Sequence, residues 1–400
     1  MSTIFKVFFV IVNYLINKPL NFISHPDAGL PIDEFLGKYG YPLERHTVVT
    51  EDGYLLTAHR IPHGKHSNGT NRYPVLCIHG TGGVGEMFLF PGYGKGIGWY
   101  LADRDFDIWL LNTRGNYHSR KHRKWNPDKD PEFWNFSWHE VGVYDLPAAI
   151  DHILTVTNKS KLFYVGHSQG STVYLVLTTQ RPEYNDKIAL GVNLAPSAFI
   201  GDNNYLLMEL VGKHRLLFKS VMKGIGFHEV LPFNLNRLVR TLMRFVCSEI
   251  NVFVDVCNIV FNFPDNTHQV DPATFQLIFS YVPAGCSLKQ LNHYLQIVES
   301  NSFALYDYGR RENKKYYGQV KPPIYNLENI TAPTAYFYGT HDVITKPEGI
   351  AKLISKTKNI EVYKIEQGFN HVDFLFSKNV IEIVNKPLYS MMKKYVVNID

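Results

Sequence analysis

Five residues constrain this chain more than any others. The apolar run Leu162-Phe163-Tyr164-Val165 has the continuous pattern of a strand buried on both faces. It leads straight into Gly166-His167-Ser168-Gln169-Gly170 and then into a helical stretch over Ser171–Gln180. A strand that reverses into a helix over G-x-S-x-G turns so sharply that its backbone crowds its neighbours, and glycine relieves the crowding. The turn lifts the serine hydroxyl above the end of a sheet. The helix start adds free N–H groups and positive dipole beside it, which suits a developing oxyanion.

The rest of the chain supplies a sheet for that turn. Short apolar strand candidates recur at Val75–His79, Ile108–Leu111, Leu162–Gly166, Ala189–Leu194, Thr334–Gly339 and Glu361–Ile365. Asp52-Gly53 between Val48-Val49-Thr50 and Leu55–Arg60 predicts a hairpin. Helical stretches separate several of the strands; one spans about Glu140–Thr157, opened by the capping box Ser137-x-x-Glu140. Alternating strands and helices predict an α/β fold, with a mainly parallel sheet flanked by helices. The alternation stops over 196–320, which reads as a mostly helical cap inserted before the last strands. The core is then expected over 24–195 and 321–400. With 45% hydrophobic residues in 400, the chain has apolar material for such a core. Lys and Arg total 41 against 36 Asp and Glu, an excess of five that is too thin to point to nucleic acid.

A serine of ordinary pKa needs a base, and the base an orienting carboxylate. On this kind of sheet they follow in the order Ser, acid, His. The strand Thr334–Tyr338 ends in Gly339-Thr340-His341-Asp342, and the next strand is followed by Gln367-Gly368-Phe369-Asn370-His371-Val372-Asp373. Asp342 and His371 are the expected partners of Ser168, with His341 and Asp373 as near neighbours of lower rank. Oxyanion donors are expected at the backbone N–H groups of Thr81, in the turn His79-Gly80-Thr81-Gly82-Gly83, and of Gln169. Gly80-x-Gly82-x-x-Gly85 matches a dinucleotide fingerprint, but no helix pattern opens at Gly85, and Asp107 begins a strand where the fingerprint needs an acid at a strand's end. His118 and His122 have i,i+4 spacing without a helical context or a third ligand. The reading therefore assigns no metal and no cofactor.

Lys6 followed by the mostly apolar Val7–Ile16 reads as a signal peptide within 1–23. Glycosylation sequons start at Asn68, Asn135, Asn158 and Asn329. Both features suit the secretory pathway, where Cys247 and Cys257 would close a small loop as a disulfide. No apolar run reaches the roughly 18 residues of a membrane-spanning helix.

Beyond these features the chain resembles the acid lipases of the gastric and lysosomal type, within the alpha/beta-hydrolases. The resemblance runs from about Asp27 to Tyr395. It rests on Pro26-Asp27-Ala28, Lys38-Tyr39-Gly40-Tyr41-Pro42, Thr50-Glu51-Asp52-Gly53-Tyr54, Asn112-Thr113-Arg114-Gly115-Asn116, Glu132–Trp138, Tyr144-Asp145-Leu146-Pro147-Ala148, the Ser168 pentapeptide, Pro283-Ala284-Gly285 and Tyr306-Asp307-Tyr308-Gly309. It implies hydrolysis of neutral lipid esters such as triacylglycerols or cholesteryl esters, at a lipid–water interface, at acidic pH, by a secreted or lysosomal enzyme. It implies the same triad, Ser168, Asp342 and His371, and the same oxyanion donors. Two positions depart from the family: Thr81 stands where an apolar residue is usual, and Cys286 where a threonine is usual. Other functions compatible with the motifs are a general carboxylesterase or acyltransferase, and a catalytically silent lipid-binding module.

Overall fold

The computed structural model describes residues 25–65, 67, 72–201, 228–230, 233–246, 269–365 and 368–396. The N-terminal leader, the sequon at Asn68 and both Cys247 and Cys257 lie outside the described residues.

In chain order the strands are β1 (Glu44–Val49), β2 (Leu55–Ile61), β3 (Tyr73–Ile78), β4 (Phe106–Asn112), β5 (Leu162–His167), β6 (Ile188–Leu194), β7 (Glu229–Val230), β8 (Cys286–Ser287), β9 (Thr334–Gly339) and β10 (Ile360–Ile365). Eight of them form one sheet in the order β1-β2-β4-β3-β5-β6-β9-β10. Pairing is antiparallel from β1 to β2 and from β2 to β4, and parallel from there on. The expected hairpin is β1–β2, turning at Asp52-Gly53. β7 and β8 make a separate two-stranded ribbon.

The central strands β4, β5 and β6 are buried along their whole length, as continuous apolar runs require. Alternate residues serve opposite layers. Ile108, Leu110, Phe163 and Val165 pack into one core, while Trp109, Leu111, Leu162 and Tyr164 pack into the other. Cys77 and Cys286 are buried free thiols.

Two helices differ from the sequence expectation. The stretch over 140–157 is not one regular helix: Trp138–Glu140 passes through a wide π-turn, Val141–Asp145, before the helix Leu146–Thr157. Pro147 has no N–H to give Val143, and the freed Val143 carbonyl accepts from Arg181 Nη1 at 3.1 Å. The capping box itself is present, with Glu140 Oε2 accepting from the Ser137 N–H at 2.6 Å. The second helix begins at Gln169, two residues earlier than its apolar pattern suggests, because Ser168 itself occupies the cap position.

Between β6 and β9 the described residues contribute the helices Phe233–Val246, Pro272–Tyr281, Leu288–Ser300 and Arg310–Tyr317. Leu288–Ser300 is anchored to the sheet domain through aromatic and polar contacts. His293 stacks on Trp138 at 3.7 Å, its Nε2–H donates to the Ala304 carbonyl at 3.0 Å, and burial pulls its pKa down to about 3. Tyr294 donates to Thr172 Oγ1, on the helix after Ser168, at 3.0 Å.

Candidate active site

Ser168, Asp342 and His371 follow β5, β9 and β10, so all three hang from the same edge of the parallel sheet. Ser168 adopts φ 54° and ψ −113°, a strained turn for a non-glycine residue. Its flanking glycines are there for space. A Cβ on Gly166 would lie 2.6 Å from the Gly170 carbonyl carbon, and one on Gly170 would lie 2.1 Å from the Ile78 oxygen. Gly339 does the same for the other two loops, since a Cβ there would meet the Phe369 carbonyl oxygen at 2.2 Å. That close approach seats the His371 loop beside the end of β9.

The three side chains form one hydrogen-bonded chain. His371 Nδ1 lies 2.9 Å from Asp342 Oδ2, and His371 Nε2 lies 2.7 Å from Ser168 Oγ. A carboxylate only accepts, so Nδ1 carries the proton and Nε2 of the neutral ring accepts from the serine. Asp342 is further held by the N–H groups of Ile344 and Thr345, both at 2.8 Å, and by the Thr345 hydroxyl. Burial pushes its carboxyl up, but His371 and these donors outweigh it and hold it below the usual carboxylate range. His341 is exposed and contacts Thr340, away from the chain.

The donors expected at Thr81 and Gln169 lie at the start of the loop after β3 and at the first residue of the helix after Ser168. Gln169 N, as a first helical residue, has no intrahelical acceptor. The Gly80–Thr81 peptide is oriented by its carbonyl, which accepts from His79 Nδ1 at 2.8 Å and from Gly83 N at 3.1 Å. In a trans peptide the N–H points opposite to the C=O, so fixing the Gly80 carbonyl fixes the direction of the Thr81 N–H. The Thr81 hydroxyl, absent from an apolar side chain, donates to Gln169 Oε1 at 3.0 Å and ties the two residues together. Ala284 of the Pro-Ala-Gly motif donates its N–H to the Gly82 carbonyl at 2.7 Å, so the segment leading into β8 braces this loop. Gly85 opens only the short 3-10 turn Gly85–Leu89, and Asp107 pairs with Arg60 at 2.8 Å.

Three participants have no signal in the sequence pattern. His167 Nε2–H donates to the His371 carbonyl at 2.8 Å, which tethers the histidine loop to the serine turn; burial, with His371 adding to it, pulls its pKa down to about 3. Thr345 and His79 act as above, through contacts that only the folded loops create. Among the sequons, Asn135, Asn158 and Asn329 are exposed.

Asp373 is buried and accepts from the Asn370 N–H at 2.8 Å. Burial pushes its pKa up to about 7; the Asn370 N–H opposes this and the Asp342 charge adds to it. Between about pH 4 and 7 the folded state therefore holds this proton and the unfolded state does not, so stability falls as pH rises through that window. Asp373→Asn keeps an acceptor without the charge. Its melting temperature is expected to gain on the parent as pH rises from 4 to 7, by the equivalent of about 2–4 kcal/mol. Parallel melting curves against pH for the two proteins would refute this.

Sequence comparison agrees with the geometry. Residues 73–378 match the family described as alpha/beta hydrolase fold, and residues 32–91 match a partial alpha/beta-hydrolase lipase region. Lipase 1 of Drosophila melanogaster is 34% identical over 372 residues, 92% of this chain and 81% of that protein. Gastric triacylglycerol lipase of Bos taurus is 33% identical, with 92% of each chain covered. The putative lysosomal acid lipase/cholesteryl ester hydrolase of Crotalus adamanteus is 32% identical, again over 92% of each. On this sheet, this serine turn and similarity over nearly its whole length, the chain belongs to the acid lipase family of the gastric and lysosomal type, within the alpha/beta-hydrolases.

Proposed function

We propose that the chain hydrolyses carboxylic esters of neutral lipids, triacylglycerols or cholesteryl esters, through an acyl-enzyme on Ser168, at acidic pH, as a secreted or lysosomal protein. The observation that carries this reading is the unbroken chain Ser168–His371–Asp342 at 2.7 and 2.9 Å. His371 Nε2 takes the Ser168 proton as Oγ attacks the ester carbonyl. Asp342 keeps the ring in the required tautomer and offsets the charge of the imidazolium. The tetrahedral oxyanion is received by the N–H groups of Thr81 and Gln169. His371 then passes its proton to the leaving alcohol, and water releases the fatty acid by the same route.

The lipid surface is supported by the helix Phe233–Val246. Leu235, Leu238 and Leu242 are 43%, 64% and 49% exposed, and their spacing puts them on one side of that helix. An apolar stripe facing water suits an interface with lipid.

The test compares initial rates on an emulsified long-chain triacylglycerol and on a short soluble ester from pH 4 to 8. Faster turnover of the emulsion at acid pH is expected. Leu238→Lys is expected to slow the emulsion at least tenfold and leave the soluble ester within about twofold. Turnover of the soluble ester alone would make the chain a general esterase. Product formed only with an added alcohol acceptor would make it an acyltransferase, and no turnover at all a silent lipid-binding protein.

A further inference from the structure

Behind the loop that carries Thr81 lies a second cluster of polar side chains. His59 belongs to β2, Glu86 to the short turn Gly85–Leu89, and His118 to the loop after β4. His59 Nδ1 and His118 Nε2 each lie 3.1 Å from Glu86 Oε1, and the three donor atoms all fall within 4.8 Å of one another. The His59 side chain is 1% exposed, that of Glu86 0%, and that of His118 25%. No residue of the catalytic chain takes part.

The cluster is close but not hydrogen-bonded. No well-aligned hydrogen bond links them: both Glu86 oxygens, His59 Nδ1 and His118 Nε2 lack one among the described residues, although, against its burial, the two histidines hold the Glu86 carboxyl below the usual carboxylate range. A buried carboxylate needs positive charge beside it, which either a protonated histidine or a cation held by all three groups would supply. No Lys or Arg among the described residues pairs with Glu86; its ionic neighbours are the two histidines.

We propose that His59, Glu86 and His118 are ligands of a divalent transition-metal ion of the zinc type. Zinc takes imidazole nitrogen and carboxylate oxygen at about 2.0–2.1 Å in a tetrahedron, and two ligands of such a tetrahedron stand about 3.3 Å apart. The two 3.1 Å separations seen here are already close to that spacing. Two nitrogens and one oxygen suit zinc better than a hard ion such as calcium, which seeks six or more oxygens. The fourth position is left for water, on the side where His118 is part exposed.

The ion would join three segments that meet behind the oxyanion loop. That loop already leans on the same neighbourhood: Gly85 N donates to Asn112 Oδ1 at 3.1 Å, and Asn116 Nδ2 to the Gly83 carbonyl at 3.4 Å. The site is therefore structural, a brace that holds the turn from His79 to Glu86 against β2 and β4. His118 entered the sequence reading only beside His122, whose Nε2–H instead donates to the Asp52 carbonyl at 2.9 Å. The partners of His118 come from 59 and 86, too far along the chain for any local spacing to reveal.

The test uses the purified full chain, stripped with a chelator, reloaded with Co²⁺ or Zn²⁺ alone and desalted. One ion retained per chain is expected, with the visible absorption of tetrahedral Co²⁺, and X-ray absorption showing nitrogen and oxygen neighbours at about 2.0–2.1 Å. Zn²⁺ is expected to raise the melting temperature of the stripped protein. His118→Asn, at the open side, and Glu86→Gln are each expected to weaken retention at least tenfold and to abolish that rise. His118→Asn is expected to keep its circular dichroism and its soluble-ester turnover in metal-free buffer, which separates lost binding from lost fold. Failure of the parent protein to retain an ion, or equal retention by His118→Asn and the parent, would overturn the proposal.

Discussion

Ser168→Ala is expected to leave a folded protein whose turnover of both soluble and emulsified esters falls by about four to six orders of magnitude. The reason lies in the geometry around Oγ. The hydroxyl touches His371 Nε2 at 2.7 Å, and removing it leaves the base with nothing to activate except water. Asp342→Asn should cost about four orders as well, by a different route. Asp342 accepts from His371, from two backbone N–H groups and from the Thr345 hydroxyl. An asparagine amide must turn an N–H toward one of those donors, which breaks the holding pattern or flips the tautomer of His371. Rates on a soluble ester, beside far-UV circular dichroism for fold, read both effects. Residual turnover above about 1% in Ser168→Ala would place the nucleophile elsewhere.

Asp145→Ala is expected to destabilise the fold by about 3–5 kcal/mol without touching the Ser168–His371–Asp342 chain. Arg114 is 2% exposed and centres a buried ion network. Its Nε donates to Asp145 Oδ1 at 2.7 Å and its backbone N–H to Asp145 Oδ2 at 3.0 Å. Nη1 and Nη2 form a two-pronged pair with Asp52 at 2.6 and 2.8 Å, and the guanidinium lies 4.0 Å over the Tyr54 ring. Removing Asp145 strands a buried cation whose remaining partner, Asp52, is 27% exposed. Chemical denaturation of Asp145→Ala and of the double variant Arg114→Met/Asp145→Leu measures this. The double variant should recover part of the loss, because it removes the unpaired charge along with its partner. Equal stability of Asp145→Ala and the parent would refute the role.

That network also explains motifs that carry no catalytic chemistry. Thr50–Tyr54, Asn112–Asn116 and Tyr144–Ala148 are far apart along the chain, yet Asp52, Arg114 and Asp145 meet at one point. Pro26-Asp27-Ala28 and Lys38-Tyr39 likewise converge, with Asp27 Oδ1 accepting from Lys38 Nζ at 2.5 Å and from the Tyr39 hydroxyl at 3.0 Å. Several of the motifs in this chain are thus halves of polar contacts that are at least partly buried. Their residues read as unremarkable singly because each half lacks meaning without the other.

The parallel sheet and the order Ser168, Asp342, His371 were legible in the residues alone. Burial on both faces writes continuous apolar runs such as Ile108–Leu111 and Leu162–Val165, and a turn that crowds its own backbone demands glycine at 166 and 170. Those requirements are local, so they leave local patterns. The π-turn within 140–157 leaves no pattern in the sequence, because the compensation for Pro147 comes from Arg181, over thirty residues on. The same holds for the grip of His167 on the His371 carbonyl, the tie between Thr81 and Gln169, the clamp on Arg114 and the meeting of His59, Glu86 and His118. A hydrogen bond or an ion pair has no period and no fixed spacing when its partners lie on different loops. Only the tertiary structure decides which polar groups end up facing each other, because low-dielectric burial makes each of them find a partner only after the sheet has brought the loops together.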